Sequence, residues 1–245
     1  MTKFYSLDCG GSQVLYRFLY PESIRYFGRY LEETDKTDDA ISLTPEYLEE
    51  HSWLCDSDQT PAYLEYMSLM IATGNELLKH DRCLFHSAAL LWKEKAWLLC
   101  APSGTGKTTQ LRHWKTLLKK DVKVINGDKP LLESKEDGSV WVYSSPWKGK
   151  ERYGIKGLKA PLGGIIYLKQ DDDNHIQKMT VQETVKPLFS SFISYPDTEE
   201  EIQCQAEILK KILSAVPAWK LYNKGDLSSA KLTIDMLERY MEERI

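Results

Sequence analysis

Ala101-Pro102-Ser103-Gly104-Thr105-Gly106-Lys107-Thr108-Thr109, APSGTGKTT, is the stretch on which the reading of this chain turns. Upstream of it, Ala96–Cys100 is a short apolar run suited to a buried strand, and downstream Thr108–Lys120 is long and periodic enough for a helix. In that strand-loop-helix setting, Gly104 and Gly106 allow a tight turn that points backbone N–H groups inward. Lys107 can then reach β and γ phosphates, and the Thr108 hydroxyl can ligate Mg²⁺. Ser103, Thr105 and Thr109 complete the expected nucleotide-binding loop, with Thr109 also supporting the helix start. Ala101 stands where the G-x-x-x-x-G-K-[ST] pattern has its first glycine. An alanine there costs little if φ is negative and forces a different loop if φ is positive.

The 245 residues, 42% of them hydrophobic, suffice for one large domain or a core with a small appendage. We expect two parts: residues 1–79, a strand-rich region and a helix packed on the core, and residues 80–245, the domain that carries the phosphate-binding loop. A net charge of −4 with interspersed signs leaves no electrostatic footprint for nucleic acid. No apolar run approaches the ~20 residues of a membrane span, and the start lacks a secretory pattern, so a cytoplasmic protein is expected. Cys9, Cys55, Cys83, Cys100 and Cys204 are scattered and read as reduced thiols, and the five histidines show no metal-ligand spacing.

Along the chain, Glu32–Asp39 reads as a polar break and Pro61–Lys79 as a helix with Leu64, Met67, Ile71 and Leu78 inward. Cys83–Trp92 and Ala96–Cys100 read as strands joined by a charged turn. Val122–Ile125 is a short strand ending at Asn126-Gly127-Asp128-Lys129, which makes Asp128 the natural acidic partner of the loop, as a Mg²⁺ ligand or proton acceptor. The competing reading is a turn shaped by Asn126 and Gly127 with Asp128 as a solvent-facing cap. Asp137-Gly138 closes a hairpin, and Ser144–Lys150 reads as a site-edge loop. Lys148, Lys150, Arg152, Lys156 and Lys159 could neutralise transferred phosphate, attract an acidic substrate or simply be solvated. Gly163–Leu168 is a buried strand, Thr180-x-x-Glu183 a capping box, and Ile202–Val216 a helix with Ile202, Ala206, Leu209, Ile212, Leu213 and Val216 on its apolar face. Trp219–Tyr222 and Ser228–Tyr240 add a strand and a terminal helix.

Phe85-His86-Ser87-Ala88-Ala89, APSGTGKTT, Asn126-Gly127-Asp128, Pro146-Trp147-x-Gly149 and Pro161-Leu162 occur in an order that resembles the catalytic domain of HPr kinase/phosphorylase. The resemblance spans roughly residues 80–222 and extends to lasso-peptide precursor kinases and, remotely, phosphoenolpyruvate carboxykinases. It implies an α/β fold, a P-loop nucleotide-binding mixed sheet of that type, and places His86 near the transferred phosphate. Two departures stand out: Gly127 replaces the first of the family's paired aspartates, and the first 80 residues do not resemble its regulatory domain.

The expectation is therefore an ATP- and Mg²⁺-dependent kinase with Lys107, Asp128 and His86 as catalytic residues and Thr108 and Asp128 at the metal. By the resemblance, the acceptor is a serine or threonine of a peptide or small protein; charge and hydropathy lead us to expect no nucleic-acid or membrane partner, and a homo-oligomer is compatible with this. A small-metabolite kinase and a nucleotide-binding scaffold are the alternatives.

Overall fold

The computed structural model describes residues 3–243. It begins with β1 (Phe4–Cys9), β2 (Ser12–Tyr16), α1 (Ile24–Phe27), β3 (Leu31–Thr34), α2 (Pro45–Glu50) and α3 (Pro61–Leu78). Next come β4 (Arg82–Leu84), β5 (Ser87–Trp92), β6 (Lys95–Cys100), α4 (Lys107–Leu118), β7 (Val122–Asn126), β8 (Leu131–Ser134) and β9 (Val140–Tyr143). The chain then runs through β10 (Lys159–Gln170), β11 (His175–Lys178), α5 (Val181–Phe189), α6 (Glu199–Ala215), β12 (Ala218–Asn223) and α7 (Leu227–Glu242). The architecture is mixed α/β. Strands β1 to β3 make a small antiparallel sheet in the order β2-β1-β3.

The large sheet follows the order β4-β8-β9-β10-β6-β5-β7. The first residues of β10 pair antiparallel with β9, and its later residues run parallel to both β6 and β12. Strand β6 shows why its run carries no polar alternation. Ala96, Leu98 and Cys100 enter one buried cluster with α5 and α6, while Trp97 and Leu99 enter another with α4 and α7. A strand covered on both faces must be apolar throughout. Leu111 and Trp114 anchor α4 to the second cluster, each burial contributing ~1.5–3 kcal/mol.

Several expectations shift once partners are present. Cys83–Trp92 is not one strand: it breaks at Phe85-His86, with β4 pairing β8 and β5 pairing β6 and β7. The supposed polar break at Glu32 lies partly within β3. Helix α6 starts at Glu199 with a Thr198/Glu201 capping box, and its buried face is Gln205, Ile208, Leu209 and Ile212; Ile202 and Ala206 are exposed. Leu64 and Met67 of α3 are half-buried, while Leu69, Met70, Ile71 and Leu77 form its core. The polar strand β11 escaped the sequence reading because its His-Ile-Gln-Lys pairs only with β12. The Thr180/Glu183 capping box, the Asp137-Gly138 hairpin, β12 and α7 form where the sequence placed them. Among the described residues, no helix is long and apolar enough to cross a membrane.

Candidate functional site

Strand register gathers the singled-out residues at one end of the large sheet. Ser87 at the start of β5 faces Cys100 at the end of β6, and Ala89 faces Asn126 at the end of β7. His86, the APSGTGKTT turn and Asp128 each lie one or two residues beyond those pairs, so three chain segments converge although 42 residues separate His86 from Asp128.

In the turn, Gly104 (φ 78°) and Gly106 (φ 105°) are left-handed, and a Cβ on either would meet no atom within 4 Å. That leaves an open concave backbone between β6 and α4. Ala101 is not among the residues with positive φ, so alanine is unstrained there. Lys107 opens α4 and is buried; its Nζ donates to the Ala101 carbonyl at 2.7 Å and the Pro102 carbonyl at 3.3 Å. Burial lowers its pKa, opposed by the Asp128 charge.

Asp128 is set by Asn126. The fully buried Asn126 accepts from the backbone N–H groups of Asp128 and Lys129, both at 2.9 Å, and donates to Ser145. This is the Asx-type turn of the plainer reading. The Asp128 side chain, however, points into a charged cluster. His86 Nε2 lies 3.4 Å from Oδ1, and Lys129 Nζ donates to Oδ2 at 2.7 Å. Burial pushes the Asp128 pKa up, but His86 and Lys129 outweigh it and hold the carboxyl at about 2. The His86 bond to Asp128 raises the imidazole pKa, yet burial, Lys129 and Lys107 together bring it below its ordinary value. The neighbouring lysines and burial thus outweigh the carboxylate and disfavour the imidazolium form of His86. Lys129 was the member that sequence reading did not single out, although it stands beside Asp128.

The backbone fixes this cluster from two sides. Ser87 N–H donates to the Asp128 carbonyl at 3.0 Å, and His86 N–H donates to the Ser191 carbonyl at 2.6 Å. The loop after β9 covers the turn: Gly127 N–H donates to the Tyr153 carbonyl at 2.9 Å, and Arg152 N–H to the Gly149 carbonyl at 3.1 Å. A Cβ on Gly127 would lie 3.0 Å from Tyr153 Cβ and 3.2 Å from the Lys148 carbonyl oxygen. Any side chain at position 127 would therefore crowd the covering loop. Trp147 is buried and donates to the Tyr66 carbonyl at 3.3 Å, anchoring the loop to α3.

The basic residues of this loop separate into engaged and free. Lys148 donates to the Gly154 carbonyl at 3.0 Å, Lys156 to the Arg29 carbonyl, and Lys159 stacks over Trp141 and Tyr143. Lys150 and Arg152 are exposed, and neither side chain has an ion pair among the described residues. The Arg152 charge nevertheless reaches Tyr63 and Tyr66, whose pKa values it lowers against the raising effects of burial and Asp128. Thr108 and Thr109 are half-buried in the first turn of α4, and Ser103 is exposed. No group of three or more His, Cys, Asp or Glu side chains is arranged to hold a metal among the described residues.

The chain matches no protein-family model and no curated protein. Among solved structures it is similar to the HPr(Ser) kinase/phosphatase from Coxiella burnetii, at 9% identity over 54% of this chain and 91% of that chain, with a TM-score of 0.28. A superposition this loose carries no functional argument.

Proposed function

We propose that the protein is an ATP- and Mg²⁺-dependent phosphotransferase that phosphorylates a serine or threonine hydroxyl of a peptide or small protein. The observation that carries this reading is the meeting of Lys107, His86, Asp128 and Lys129 beside an open glycine turn at the mouth of a helix. The left-handed Gly104 and Gly106, with vacant space where a Cβ would stand, fit a phosphate chain lying against a P-loop backbone. Magnesium, when bound, supplies charge neutralisation across the phosphates.

In this reading Lys107 exchanges its loop carbonyls for phosphate oxygens, and the free N–H groups of the α4 N-terminus stabilise negative charge. Thr108, in the first turn of α4, would lend its hydroxyl to the metal. Two roles are open to the Asp128 carboxylate: holding Mg²⁺ with Thr108, or receiving the acceptor's proton. His86 orients it in either case, or takes the proton as a neutral imidazole. Lys129, bonded to Asp128, would neutralise the group in transfer, and the exposed Arg152 of the covering loop would assist it.

The test is incubation of the purified protein with Mg·ATP and candidate serine- and threonine-containing peptides, followed by mass spectrometry for added phosphate. Acceptor-dependent ATP turnover supports the kinase. Nucleotide binding without any acceptor-dependent turnover would instead describe a scaffold.

A further inference from the structure

Residues 1–60 have no part in the cluster above, yet they form one wall of a cleft beside it. In the small sheet Leu7, Cys9, Val14 and Tyr16 face the core. The register sets Ser6 opposite Glu32 and Asp8 opposite Gln13, so these four share the outer, polar face. Across from that face stand Ser144, Gly157 and Leu158, and the cleft between has a volume of about 230 Å³. Tyr30 lines it and is 9% exposed, and its hydroxyl has no hydrogen-bond partner among the described residues.

The far wall is the neck of the loop that covers Asp128. Gly157 N–H donates to Ser144 Oγ at 3.0 Å and Ser144 N–H to the Leu158 carbonyl at 3.1 Å, closing that neck. Tyr30 also touches the loop, with Lys148 Nζ 4.9 Å from its ring centroid, and the Lys148 carbonyl lies against Gly127. Tyr30 and Lys148 thus stand in series between the cleft and the Asp128 turn. Its volume falls below the ~300–1,000 Å³ of small-molecule sites, which suits a side chain of a longer ligand better than a whole metabolite.

Charge selects the ligand. Glu32 is exposed and has no hydrogen bond or ion pair among the described residues, and Asp8 adds a second carboxylate while accepting from Gly11 N–H at 2.7 Å. The one cation in the cleft, Lys156, is drawn aside to the Arg29 carbonyl and the Tyr30 ring. Resting on the kinase reading, we infer that this cleft docks the acceptor peptide through a basic side chain a few residues from the acceptor hydroxyl. An extended peptide advances ~3.3 Å per residue, so the offset of the basic residue from the acceptor hydroxyl reads out the separation of the two sites.

A spot array of serine-centred degenerate peptides, with Arg or Glu fixed in turn at each flanking position, tests this. Both retained protein and incorporated labelled phosphate are read. Wild type should retain and phosphorylate peptides with Arg at one particular offset at least tenfold over their Glu counterparts. Glu32→Lys should reverse that preference, while Asp172→Lys, in a remote exposed turn, should leave it unchanged. Lys107→Met should lose phosphate incorporation but keep the Arg-dependent retention. The docking inference is overturned if no offset prefers Arg, or if Glu32→Lys keeps the wild-type preference. Arg-dependent retention without any incorporation by wild type would overturn the kinase reading and leave docking standing.

Discussion

Gly149 lies directly against Asp128: a Cβ on Gly149 would stand 2.9 Å from Asp128 Cβ and 3.1 Å from its Oδ2. Gly149 also holds φ at 72°, where an L side chain is strained. Gly149→Ala therefore has to push the carboxylate away from His86 and Lys129 or unseat the loop. We expect a ~10-fold or greater loss of phosphoryl transfer with nucleotide binding retained, since the glycine turn before α4 is untouched. Unchanged turnover in the folded variant would show that the loop position is irrelevant to the chemistry.

Placing an acid at position 127 tests how tightly the covering loop packs on the turn. Gly127→Asp drives a Cβ to within 3.0–3.2 Å of Tyr153 and the Lys148 carbonyl, and adds a second carboxylate beside Asp128. Overpacking of this kind costs ~1–3 kcal/mol, so the melting temperature should fall and activity should not rise. A more active variant of unchanged melting temperature would show that the loop does not pack tightly there.

Lys107→Met keeps the length of the side chain and removes its charge. The ammonium donates to two carbonyls, so loss of these bonds should cost ~1–3 kcal/mol of stability, short of unfolding the chain. Triphosphate binding, followed by titration calorimetry, should weaken by ~10-fold or more. A variant that binds Mg·ATP as wild type does would remove Lys107 from the phosphate site.

Asp128→Asn and His86→Ala divide the two roles left open for the carboxylate. Phosphoryl transfer by D128N should fall ~100-fold or more with little change in melting temperature. If Asp128 holds the metal, D128N needs more magnesium at every nucleotide concentration; if it receives the proton, its magnesium requirement matches that of wild type. Near-normal D128N turnover with an inactive H86A would move the base to His86.

Gly74 gives a purely structural prediction. Helix propensity alone favours alanine there by ~1 kcal/mol, but a Cβ would sit 1.7 Å from the Ile193 carbonyl oxygen. The clash outweighs propensity, and Gly74→Ala should lower stability in a urea titration. The neighbouring chain pairs with β4 through Ile193 N–H to Leu84 and receives His86 N–H at Ser191, so the variant should also lose turnover.

Much of the local structure was legible in the sequence because it rests on short-range physics. Period and caps placed α3, α4, α5, α7 and the Asp137-Gly138 hairpin, and the glycine spacing marked the turn before α4. What the sequence could not carry was anything that depends on a distant partner. It read Cys83–Trp92 as one strand, because nothing local records that β8 takes the first half and β6 with β7 the second. That division bends the chain at His86 and aims it at Asp128. Lys129 joined the cluster for the same reason: its role is set by an Asx turn and a burial that only the packed sheet provides. Residue chemistry and spacing named Lys107, His86 and Asp128 individually, whereas strand register, a long-range property, decided that they meet.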